Sequence, residues 1–174
     1  MSELKAAAFP AITPAPRWLR IVLIVAAAIE LLEGVRDFPI LFGDLSEIPG
    51  PGLGGWIITG KIALHPVVAG AALIFVSFGR LHHALVAMAA LIFLTWLNDL
   101  PSVFIHGLDL KGDGVGGLNT VFQILLAPLL AATVVALVVF NQRLGLATLL
   151  AVLPTVIGVL GVVAFAIAIS IYGF

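Results

Sequence analysis

The stretch IELLEGVRDF, residues 29–38, sets Glu30, Glu33, Arg36 and Asp37 into otherwise apolar sequence. Carboxylates beside a guanidinium can hold protons, bind cations or pair with one another. Further along the chain come Lys61 and His65, then Asp99, then Asn119 and Gln123. Glu30 with Glu33 and Asp37, Glu33 with Arg36 and Asp37, Lys61 with His65, and Asn119 with Gln123 stand three, four or seven residues apart, so the members of each pair share a helix face. Glu30, Glu33, Arg36, Asp37, Lys61, His65, Asp99, Asn119 and Gln123 are therefore the candidate binding or proton-handling residues, with no catalytic or metal-ligating set among them.

The elements that must carry these side chains follow from composition. Of 174 residues, 62% are hydrophobic and 10% charged, with a mean hydropathy of +1.25. Soluble domains carry about 25% charged residues, so the expected class is an integral membrane protein. A spanning helix needs about 20 mostly apolar residues. Segments 17–42, 54–79, 82–105, 116–140 and 144–172 meet that need, predicting an all-α bundle of five transmembrane helices in one domain, 17–174, after a short Pro-rich leader, 1–16. Arg17, Arg20 and the apolar run to Ala28 resemble a secretory signal, but the apolar character continues beyond it, and the segment reads as a retained first helix.

The connections supply an orientation. GRLHH (79–83) and NQR (141–143) are short basic turns, whereas PGPGLGG (49–55) and HGLDLKGDGVGG (106–117) are Gly-rich loops. Lys5, Arg17, Arg20, Arg80 and Arg143 fall on one side against Lys111 on the other, which predicts a cytoplasmic N-terminus and an external C-terminus. The expected location is a plasma membrane, most simply a bacterial inner membrane.

In that frame the polar residues share the outer half of four helices. At ~1.5 Å per residue, Glu30 lies roughly 18 Å from Trp18 and His65 roughly 14 Å from Trp56, which sets both near the middle of a ~30 Å core. Arg36, Asp37, Lys61 and Asp99 lie higher. Each charge at mid-bilayer costs about 2.5–3.5 kcal/mol on insertion scales, so the groups are expected to face inward and satisfy one another. Glu30, Glu33, Asp37 and Asp99 outnumber Arg36 and Lys61 by four to two, a deficit that a proton or a bound cation would reduce.

A structural alternative stands beside this one. Glu33 with Arg36, and Lys61 with Asp99, would serve as register-fixing ion pairs, and His65 would satisfy a backbone carbonyl freed by Pro66. The fifth helix has no charge and is apolar all round, which suits lipid exposure, oligomer contact or a partner subunit.

Several chemistries find no support. Without cysteine there are no disulfides, thiolate nucleophiles or Cys-ligated metal centres. DLKGDG (109–114) fails as a calcium loop, with Lys111 at its third position and Thr120 at its twelfth. There is no P-loop, HExxH or GxSxG motif and no basic cluster for nucleic acid. The expected function is transport- or channel-like handling of protons, cations or a small polar solute, with the lipid bilayer and a homo-oligomer or larger membrane complex as partners. The alternatives are a non-catalytic accessory subunit and a metal- or cofactor-dependent membrane enzyme whose cofactor is unknown.

Overall fold

The computed structural model describes residues 16–43, 52–106 and 121–173, and they are helical apart from short turns and ends, with no strand among them. Helix α1 spans Arg17–Asp37, α2 Gly52–Ser77, α3 Leu81–His106, α4 Ala127–Val139 and α5 Leu144–Tyr172. Four stretches, Gly52–Ser77, Leu81–Pro101, Phe122–Val139 and Leu144–Tyr172, are long and apolar enough to cross a membrane. Helix α1 has the length at 21 residues, but charges crowd both of its ends.

The helix ends have local causes. The sequence predicts a first helix continuing to residue 42. It stops instead at Asp37 and tightens into a 3₁₀ turn, Phe38–Phe42, because Pro39 cannot donate to the α ladder. Between α2 and α3 the chain turns through Gly79 at φ +75°. Between α4 and α5 it turns through Asn141 and Arg143, both at positive φ. These two turns lie at the same end of the bundle: His82 Nε2 is 3.0 Å from Asn141 Oδ1, and Arg20 of α1 donates to the Ser77 carbonyl.

Each helix packs on its sequence neighbours, and α5 returns to α1, so the five form a closed ring. The packing stripes are rich in small residues. They are Leu19, Leu23, Ala26, Ala27 and Gly34 on α1, and Ile62, His65, Ala69, Ala72 and Val76 on α2. Helix α4 contributes Ala127, Ala131, Val134 and Val138, and α5 contributes Ala147, Ala151 and Val152. Small side chains let helix backbones approach closely. Half of the ring nearest the basic turns is thereby filled solid by aliphatic residues, with Leu85 and Met88 of α3 at its centre.

Proline shapes the other half. Pro66, Pro101 and Pro154 sit inside α2, α3 and α5, and Pro128 lies in the first turn of α4. Just before α4, residues Phe122–Leu126 widen into a π-helical turn. In α register the Ile124 carbonyl would receive its hydrogen from residue 128, but Pro128 has none to give, and its ring crowds that same carbonyl. The indole of Trp96 on α3 donates to the Ile124 oxygen at 3.1 Å and supplies the missing partner.

Candidate functional site

On α1, Glu30 continues the buried stripe that runs through Leu23, Ala26 and Ala27, so the packing that forms the helix also turns its carboxylate inward. On α2, His65 belongs to the stripe of Ile62, Ala69 and Ala72 and is buried to the same degree. The two helices cross closely at Gly34. A Cβ there would come within 2.9 Å of the Pro66 nitrogen and 3.0 Å of His65 Cδ2, so only glycine permits this approach.

The result is a buried acid–imidazole contact. His65 Nε2 lies 3.0 Å from Glu30 Oε2, with side-chain exposures of 5% and 13%. The approach has ion-pair distance without the alignment of a hydrogen bond, and Nδ1 has no partner among the described residues. His65 therefore does not cap the carbonyl freed by Pro66, which the sequence left open as its role. The other Glu30 oxygen, Oε1, accepts a hydrogen bond from Thr155 Oγ1 of α5 at 2.5 Å.

These groups face a cavity of about 190 Å³ to which all five helices contribute. Its polar lining consists of Glu30, Glu33, Lys61, His65, Thr95, Gln123 and Thr155, and its apolar floor includes Met88, Leu91 and Ala151. A water occupies about 30 Å³ in the liquid, so the space suits a few waters or a small polar molecule. Two carboxylates against Lys61 leave the lining at −1 with His65 neutral and at zero with His65 protonated. Among the described residues, no three His, Asp or Glu side chains gather closely enough to hold a metal ion.

The predicted set divides three ways. Glu30, Glu33, Lys61, His65 and Gln123 line the cavity. Arg36, Asp37 and Asp99 do not. Arg36 is 79% exposed and touches Asp37 at 3.5 Å, Lys61 Nζ lies 3.7 Å from Asp37 Oδ2, and Asp99 accepts from its neighbour Asn98 at 3.2 Å. The ion pairs of the structural alternative, Glu33 with Arg36 and Lys61 with Asp99, are thus replaced by a shared anion, Asp37. Asn119 and the calcium-like DLKGDG segment lie outside the described residues, as does the leader up to residue 15.

The fifth helix requires a correction. The sequence predicts a cavity made by the first four helices, yet the fifth supplies Thr155, Pro154 and Gly158 to the lining. The signal was present in the spacing: Thr148, Ala151, Val152 and Thr155 share one helical face, and that face is buried. Hydroxyls in apolar helices normally donate to the carbonyl four residues back. Thr133, Thr148 and Ser170 do so here, whereas Thr155 is turned to Glu30 instead. Trp96 and Gly34 are the other residues that set the site without having been read as part of it.

In comparison with known proteins, the chain matches no family model, and no curated protein or solved structure is significantly similar to it.

Proposed function

We propose that this chain is a five-span membrane protein, N-terminus cytoplasmic and C-terminus external, that handles protons together with a small polar solute or cation in a transport-like cycle. The observation that carries this reading is the Glu30–His65 pair, buried at the floor of a polar cavity whose far side is sealed by aliphatic packing. A polar cavity closed on one side by apolar packing is what alternating access requires, whereas a channel would need polar groups along its whole length. Intramembrane ionisable residues that pair with one another mark ion and proton pathways in membrane proteins. Glu30 is the proton carrier in this scheme, His65 its counter-group, and Lys61 offsets part of the charge of Glu33 and Asp37. Helix-interior prolines at Pro66, Pro101 and Pro154 interrupt the backbone ladder at points where helices can flex.

The test uses purified protein in liposomes carrying an internal pH dye. Proton movement is followed after an imposed potential, alone and with candidate small amines, amino acids or monovalent cations outside. The wild type should move protons and Glu30→Gln should not. Equal flux in both would overturn the proton role of Glu30.

A second reading, an accessory subunit, draws on α5. Beyond Thr155 every residue through Tyr172 is exposed except Val159 and Ala168, and the exposed ones are mostly large and apolar. Stoichiometric co-purification with a larger membrane protein, together with no flux by the isolated chain, would favour it.

A further inference from the structure

Outside the cavity, α1 and α5 form a second recess between them. It is a groove of about 320 Å³ lined by Ile21, Val25 and Ile29 on one wall and Val152, Val156 and Val159 on the other. Thr155 is the one polar residue of its lining among the described residues, and it also lines the polar cavity. The partition between the two spaces is therefore a seam only a few side chains wide, formed by Ile29–Glu30 on α1 and Thr155–Val159 on α5. Across it runs the hydrogen bond from Thr155 to Glu30.

From these observations we infer that the α1–α5 seam is a lateral entrance, through which a membrane-dissolved amphiphile with a protonated amine head reaches Glu30 while its aliphatic tail stays in the groove. This rests on the cavity being a binding site, as read above, and adds the ligand class and the route. The tail is assigned by the aliphatic lining of the groove. The head is assigned by charge: Glu30 and Glu33 face the cavity against Lys61, which is shared with Asp37, so with His65 neutral the lining lacks one cation. An ammonium group supplies three donors and fits two places that already want a proton donor, the Glu30 oxygen now taken by Thr155 and the Glu33 carboxylate. Entrance needs Thr155 to release Glu30, and a threonine hydroxyl has a ready alternative in the carbonyl four residues back, that of Ala151. The bond can therefore be broken without leaving the hydroxyl bare.

A long-chain alkylamine with a photoreactive diazirine in its tail, compared with the matched alcohol, tests this on the full chain in phosphatidylcholine nanodiscs. The amine should label peptides containing residues 21–29 and 152–160, with about tenfold less labelling by the alcohol, the difference expected from losing one strong charge-assisted contact. Glu30→Gln should lower amine labelling to the level of the alcohol. Val156→Trp, a change on the exposed wall of the groove, should abolish labelling while the unfolding midpoint stays at the wild-type value, and it decides the matter if Glu30→Gln fails to fold. Equal labelling by amine and alcohol would mean ordinary lipid in the groove and would overturn the inference. Amine-dependent labelling confined to other helices would overturn the lateral route. Proton flux without groove labelling would sink this inference and leave the transport reading standing; labelling without flux would do the reverse.

Discussion

Thr155 of α5 donates its hydroxyl to Glu30 of α1 at 2.5 Å, and this bond joins the last helix of the ring to the first. Only one other polar side chain of α5, Thr148, is buried, and it turns back on its own helix. The contact between these sequence-distant residues therefore both closes the bundle and completes the coordination of its deepest carboxylate.

Replacing Thr155 by Val keeps the shape of the side chain and removes the donor. Hydrogen bonds between membrane helices average about 0.6 kcal/mol with a maximum near 1.7, so Thr155→Val should destabilise the bundle by about that much. Thr155→Ser, which retains the hydroxyl, should lie close to the wild type. Unfolding midpoints of the three proteins in one mild detergent check this, and equal midpoints for Val and wild type would show the bond to be energetically idle.

The Glu30–His65 contact is testable by a double-mutant cycle. Removing one partner of a buried polar contact is expected to cost about 1–3 kcal/mol, because the other is left without its partner. Glu30→Gln and His65→Gln should each be destabilising, and the double variant should be less so than their sum. Strict additivity would mean that the two groups, though 3.0 Å apart, do not sense each other.

Gly34 is predicted to be intolerant of even one methyl group. Its Cβ would meet backbone atoms of Pro66 at 2.9 Å and 3.1 Å, which cannot yield as a flexible side chain does. Gly34→Ala should cost about 1–3 kcal/mol by forcing α1 and α2 apart. It should also reduce proton flux, since the displaced backbone carries His65. Gly60→Ala is the control, having no atom within 4 Å of its Cβ and standing to gain up to about 1 kcal/mol in helix propensity. A tolerated Gly34→Ala would refute the close crossing.

Trp96 holds the π turn before α4 through the Ile124 carbonyl. Trp96→Phe keeps an aromatic ring but leaves that carbonyl unpaired, at a cost of about 1–3 kcal/mol. The loss should appear as faster amide hydrogen exchange over residues 121–130 and as altered labelling of a cysteine placed at Gln123, which a one-residue change of register would rotate by about 100°. Pro128→Ala restores the backbone donor that Ile124 lacks. In that background Trp96→Phe should become mild, and if it stays equally damaging the indole acts through packing instead.

Much of the architecture was legible in the chain because it depends on local properties. Hydropathy over windows of about 20 residues marks helices, and α5 runs over the same residues, 144–172, that its apolar pattern outlined. The basic turns read as lying at one end are brought together there by the Arg20–Ser77 and His82–Asn141 contacts. Helical period set Glu30, Glu33, Lys61, His65 and Gln123 on faces that the packed bundle turns to its cavity, but it set Arg36 and Asp37 there as well. Composition and helical period thus located the apolar helices and narrowed the polar groups that can face inward.

What they left open was pairing. Spacing along one helix restricts a charged residue to a face, but several partners on other helices satisfy that restriction equally. Only the crossing distances and rotations of the packed helices choose among them. The tertiary structure gave Lys61 to Asp37 rather than Asp99, and it kept Asp99 with Asn98, beside the cavity rather than in it. It brought α5 back against α1 and so turned a threonine in an uncharged helix into the partner of Glu30. That last contact spans 125 residues of sequence, and it exists because small residues let five helices close into a ring.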